Sequence, residues 1–171
     1  MHQQYTSLGL MSGTSGDGVD ASVIISNGID HFKKIIDKYF EYDSDIFQGI
    51  HSLKENILNS KDIKKFSKEI SEMEREITFF HAKIIKELET KNSDILVGFH
   101  GQTIFHNPKE KISFQLGDGR LLNQLTQKKI IFNFRKNDIM NGGEGAPLTP
   151  LFHQLITFQK KIVLPVCILN I

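Results

Sequence analysis

A single cysteine, Cys167, is all the thiol chemistry available to the 171 residues, so an internal disulfide is excluded. Its apolar setting, Val-Cys-Ile-Leu, reads as a core position in a reducing compartment, and the cytoplasm is the expected location. An excess of charge of one sign is also missing. Twenty-one Lys+Arg against 20 Asp+Glu leave a formal charge of +1, which offers no general attraction to a polyanion and sets nucleic acid aside as a partner. No apolar run approaches the ~20 residues of a spanning helix, and Met-His-Gln-Gln-Tyr-Thr-Ser at the start lacks a basic then apolar leader, so no membrane partner is expected. Internal repeats and low-complexity segments are absent, and Lys128-Lys129 and Lys160-Lys161 are too short to be basic tracts. With 39% hydrophobic and 24% charged residues, what remains is a chain able to close one hydrophobic core.

Short apolar runs, Leu8 to Met11 and Val19 to Ile25, flank the glycine-rich stretch Gly13 to Gly18 and predict a hairpin with an unusual loop. Phe32 to Tyr42 reads as a further antiparallel strand. From Ser60 to Thr90 apolar residues recur every three or four positions (Ile63, Phe66, Ile70, Met73, Ile77, Phe80, Ile84, Leu88), predicting one long amphipathic helix capped by Ser60, with Asp62 in its first turn. Asp94 to Gly98 reads as a short buried strand whose carboxyl end opens into a polar loop, where open α/β sheets bind ligands. Strands at Ile112 to Leu116 and Ile130 to Phe134, a short helix at Gly119 to Gln127 and a helix at Pro147 to Phe158 complete a mixed α/β sheet. Val163 to Ile171 is a buried-strand pattern that stops without a turn or polar tail. It suggests that the chain is a fragment of a longer polypeptide.

Three segments carry candidate chemistry. In Gly13-Thr14-Ser15-Gly16-Asp17-Gly18-Val19-Asp20, glycines free the backbone N–H groups to face an anion, and Thr14 and Ser15 add hydroxyl donors. The lysine of the Gly-x-x-x-x-Gly-Lys-Ser/Thr phosphate loop is missing, and Asp17 suits a water-mediated Mg2+ contact better than phosphate itself. A tight hairpin turn explains the same glycines. In Gly98 to Pro108, His100, Gln102 and Thr103 offer the mixed donors and acceptors that hold sugar hydroxyls, or else a hydrogen-bonded loop against the sheet; His100 and His106 are poorly spaced for zinc. In Phe134 to Pro150, Arg135 and Asp138 follow a strand end and precede Gly-Gly-x-Gly. Asp138 there is a general base, a salt-bridge partner of Arg135 or a helix cap.

Taken together, Gly13-Thr-Ser-Gly-Asp-Gly-Val-Asp20, Gly98 to His106 and Phe134 to Leu148 resemble the signatures of the anhydro-N-acetylmuramic acid kinase family, in order and over nearly the whole chain from Gly9. The resemblance implies an actin-like or hexokinase-like, ribonuclease H-like ATPase lobe over residues 1–162, with 163–171 the first strand of a truncated second lobe, and a homodimer. It also implies a dual reaction in cell-wall recycling: water opens 1,6-anhydro-N-acetylmuramic acid and O6 takes the γ-phosphate of ATP. By the same resemblance Gly13 to Asp20 hold ATP and Mg2+, His100, Gln102, Thr103 and Arg135 line the sugar side, and Asp138 activates the water. Three positions depart from the family pattern: Gly16 for a bulkier apolar residue, Asn133 for aspartate and Glu144 for glutamine. Two rival readings are an inactive sugar- or phosphate-binding fragment and a sugar kinase of the same superfold with another substrate.

Overall fold

The computed structural model describes residues 3–88, 94–163 and 165–167. Strands β1 (Tyr5–Ser12), β2 (Gly18–Ser26) and β3 (Phe32–Glu41) form an antiparallel meander in the expected places. Strand β4 (Leu96–Asn107) lies parallel to β1 on its other side. Beyond β4, its carboxyl half pairs antiparallel with β5 (Ile112–Leu116) and its amino half pairs parallel with β6 (Lys129–Ile131). The six-stranded mixed sheet therefore runs β3-β2-β1-β4, with β5 and β6 sharing the outer side of β4.

One face of this sheet carries the core. Leu8, Leu10 and Ser12 alternate with exposed residues along β1, and their register partners Val97, Phe99 and Gln102 on β4 are buried with them. That face is covered by α1 (Ser44–Asn56) and α3 (Ser67–Glu87), with α4 (Gly119–Thr126) packed beside α3. Helix α1 is absent from the expected elements, although Asp43 caps it by accepting the Ile46 N–H at 2.9 Å and its buried Ile46, Ile50 and Leu53 follow helical spacing. Gly49 and several polar residues dilute that stripe.

The long helix expected from Ser60 to Thr90 is two helices, α2 (Ser60–Lys65) and α3, separated by a single distorted residue, Phe66. Its cap is Asn59 rather than Ser60: the Asn59 side chain accepts the Lys61 N–H, while Asp62 reaches back to the Asn59 N–H. The expected apolar stripe does pack into the core, and Thr90 lies outside the described residues. The strand expected at Ile130 to Phe134 ends at Ile131, and Phe134 opens helix α5 (Phe134–Met140), an element not foreseen. Pro150 sits at the first position of α6 (Pro150–Gln159), where its missing N–H costs nothing, so it starts this helix three residues later than expected. Among the described residues after Ile162, no strand forms. Val163 is 86% exposed and Cys167 is exposed, correcting the reading of Cys167 as a core residue: an apolar sequence context does not by itself bury a side chain.

His81 on α3 is fully buried, its ring edge-to-face with Phe99 at a centroid separation of 4.9 Å and its Nδ1–H donated to the Ile77 carbonyl at 2.7 Å. Burial pushes its pKa down to about 4. The unfolded chain takes up this proton near pH 6.5 and the folded chain does not, so stability is lost as pH falls from 6.5 through 4, by up to about 3 kcal/mol. His81→Leu is expected to remove that part of the acid sensitivity. Thermal unfolding of both proteins from pH 7 to pH 4 measures it, and parallel curves would refute the assignment.

Candidate active site

The three motif segments meet where parallel strands end. The glycine loop, residues 13–17, leaves the carboxyl end of β1; Asn133 and α5 follow the end of β6; and β4, between them in the sheet, changes register at the same level. The segment Gly98 to His106 is thus part of a strand, not a loop. Leu10 pairs with Phe99 but Ser12 pairs with Gln102, so Met11 alone faces both His100 and Gly101. This is a β-bulge, with Gly101 at φ +72°. In a regular strand residues 100 and 102 share a face. The bulge separates them: Gln102 turns to the helix-covered core and His100 to the other face, where the Phe134 ring approaches Gly98.

Gln102 is fully buried and donates Nε2–H to the Gly13 carbonyl at 2.9 Å and to the Thr103 carbonyl at 3.2 Å. It ties the glycine loop to β4 rather than presenting an amide to solvent. Thr103 is also buried, its hydroxyl accepting from Gln115 Nε2 at 3.4 Å. His100 faces the open side: Nδ1–H donates to the Gly101 carbonyl at 2.8 Å, and Nε2 accepts from Arg135 Nε at 2.9 Å. Burial pushes the His100 pKa down, opposed by its hydrogen bond to the Gly101 carbonyl and reinforced by the Arg135 charge, which keeps Nε2 an acceptor.

Arg135 and Asp138 lie three apart on α5, on one side of the helix. They form no salt bridge. Arg135 engages His100, while Asp138 Oδ2 accepts the Gly145 N–H at 2.8 Å and so ties down the Gly-Gly-x-Gly segment. Mid-helix, Asp138 is not a cap either. It lines an open cleft of about 670 Å³ with Asn133, Phe134, Lys136, Asn137 and Leu148. Asn133 takes the left-handed conformation, φ +63°, that turns β6 into α5, and asparagine tolerates it better than most residues.

In the glycine loop, Thr14, Ser15 and Asp17 are exposed, and Ser15 Oγ donates to Asp17 Oδ1 at 2.5 Å. That bond, aided by Tyr39, holds the Asp17 carboxyl below its usual range. The segment read as a single ATP loop divides: Gly18, Val19 and Asp20 belong to β2, Val19 pairs with Phe40, and its side chain is wholly in the core. An exposed carboxylate kept ionised fits a water-mediated Mg2+ contact. No group of three or more acidic, histidine or cysteine residues able to hold a metal occurs among the described residues, and Mg2+ bound chiefly through phosphates and water does not require one. The sequence reading missed His51 and Lys54 because both come from α1. The Lys54 ammonium donates to the Thr14 carbonyl.

The mixed six-stranded sheet, with the three motif segments at the carboxyl ends of its parallel strands, is that of a mixed α/β, ATPase-like lobe of the sugar-kinase class. Anhydro-N-acetylmuramic acid kinase is the family whose model matches, over residues 5–171, and the chain belongs to that family. It is 56% identical over 174 residues to the anhydro-N-acetylmuramic acid kinase of Pelagibacter ubique, covering 100% of this chain and 46% of the relative. The enzymes of that name from Gluconobacter oxydans and Agrobacterium fabrum are 38% and 34% identical, over 96% and 92% of this chain and 45% and 43% of their own lengths. The chain thus spans about half the length of these curated relatives. No helix among the described residues is long and apolar enough to cross a membrane.

Proposed function

We propose that the full-length protein is an ATP-dependent kinase that opens 1,6-anhydro-N-acetylmuramic acid with water and phosphorylates the released O6, giving N-acetylmuramic acid 6-phosphate and ADP. The water oxygen bonds to C1 as the C1–O6 bond breaks, and O6 then accepts the γ-phosphoryl group. The observation that carries this reading is the convergence of the three segments: Gln102 joins β4 to the glycine loop, and Arg135 joins α5 to β4. Phosphoryl transfer asks chiefly for positioning and charge stabilisation: glycine-loop N–H groups, Thr14 and Ser15 would hold the phosphates, and Asp17 would hold, through water, a Mg2+ that would add charge stabilisation. The added hydrolysis needs one carboxylate near the sugar, and Asp138 is the carboxylate on the α5 cleft wall. His100 and Arg135 form the polar wall of the sugar side, with Gln102 and Thr103 holding that wall in place from within the sheet.

The complete polypeptide, incubated with MgATP, the anhydro sugar and 18O-labelled water, is expected to yield a 6-phosphate carrying one labelled oxygen, read by mass spectrometry. N-acetylglucosamine and glycerol are expected to remain unphosphorylated. Phosphorylation of either in preference to the anhydro sugar would overturn the substrate assignment.

A further inference from the structure

We propose that Lys54, admitted to the glycine loop by the missing side chain at Gly16, supplies the positive charge that the loop's own sequence lacks and binds the nucleotide phosphates. The inference rests on the reading of residues 13–17 as a phosphate loop. Lys54 lies on α1, 40 residues from the loop, and its ammonium donates to the Thr14 carbonyl at the loop's tip. It takes part in none of the ion pairs among the described residues, so a neutral carbonyl is the partner of a cation that burial partly strips of water. That desolvation pushes the Lys54 pKa down, and the nearby Asp17 charge only partly offsets it. A phosphate at the loop would provide the missing counter-charge.

Gly16 makes the approach possible. Its φ is +73°, and a Cβ there would lie 2.9 Å from Ile50 Cγ2, so a side chain would press on α1 just where it approaches the loop, while Lys54 Nζ, 3.5 Å from the same point, would be met at ordinary contact distance. His51, one turn before Lys54 on the same helix side, points to the same spot: its Nε2 lies 3.8 Å from that Cβ position, is closed off from solvent and has no hydrogen-bond partner among the described residues. Thr14, whose carbonyl accepts from the ammonium, and Ser15, whose hydroxyl donates to Asp17, are both exposed in this loop.

The test is equilibrium binding of MgATP and of the anhydro sugar to the full-length protein by titration calorimetry, comparing wild type with Lys54→Met, Lys54→Arg and Asp17→Asn. A charge-assisted bond to phosphate predicts that Lys54→Met weakens MgATP about 10- to 100-fold, that Lys54→Arg recovers most of the loss, and that sugar affinity is unchanged. The difference between wild type and Lys54→Met is also expected to shrink as salt is raised. Unchanged MgATP affinity in Lys54→Met, with Asp17→Asn still altering it, would overturn the role of Lys54 and leave the phosphate-loop reading standing. MgATP affinity indifferent to both residues, or no MgATP binding by wild type, would overturn that reading and this inference together. Equal losses of MgATP and sugar affinity would make Lys54 a support of the fold and likewise overturn it.

Discussion

Asp138→Asn in the full-length enzyme is expected to lower kcat/KM for the anhydro sugar by about 10³-fold, within the range of a lost general base. MgATP affinity should stay within about twofold, since the substitution is remote from the phosphate loop in the chemistry it removes. Asparagine is the informative replacement because Asp138 also has a structural duty, accepting the Gly145 N–H at 2.8 Å. An asparagine side-chain carbonyl can accept the same bond, so the Gly-Gly-x-Gly segment stays anchored while the basic carboxylate is gone. Asp138→Ala removes both and should further destabilise the protein by about 1–3 kcal/mol, the cost of an orphaned donor. Steady-state kinetics, calorimetry and thermal unfolding on the two variants separate the roles. If the Asp138→Asn protein turns over normally and only the alanine variant fails, Asp138 is an anchor and the base lies elsewhere.

Gly101→Ala is expected to destabilise the protein by about 3 kcal/mol, lowering the unfolding temperature by roughly 6–12 °C. Two penalties combine. At φ +72° any Cβ is strained, and here it would collide with the Leu116 carbonyl oxygen, a backbone atom of the neighbouring strand that cannot step aside. Because Gly101 forms the bulge, relief of that collision would also disturb the opposed aims of His100 and Gln102, so sugar binding should weaken as well. Gly28→Ala is the control: its φ is +73°, but a Cβ would meet nothing within 4 Å, so only the conformational penalty of about 1–2 kcal/mol applies. Thermal unfolding by circular dichroism compares them, and equal losses would rule out the steric argument.

The elements legible in the sequence are those whose signal is local. Alternating or continuous apolar runs located β1, β2, β3 and β5, and the three-and-four spacing located α3, since burial of one face writes its period into the chain. The glycine, Arg135 and Asp138 positions were legible as motifs for the same reason: they cluster within a few residues of one another. Helix α1 carried a readable stripe but a diluted one, and with it went His51 and Lys54, the residues that α1 brings to the glycine loop.

The partition of roles was decided elsewhere. By itself, the sequence determined that this chain builds a mixed α/β lobe with a glycine loop and two polar segments, and it carried the signatures that assign the family. Only the tertiary structure decided that Gln102 works inward on Gly13 while His100 works outward with Arg135, because that split depends on a bulge created by pairing β4 with β1. Only it decided, too, that Val19 belongs to the core, that Asp138 bonds Gly145 rather than Arg135, and that a lysine 40 residues away stands at the loop. Local composition fixes which groups are present and which face of an element is apolar; which of them meet depends on strand register and helix docking, long-range contacts that no short stretch of sequence encodes.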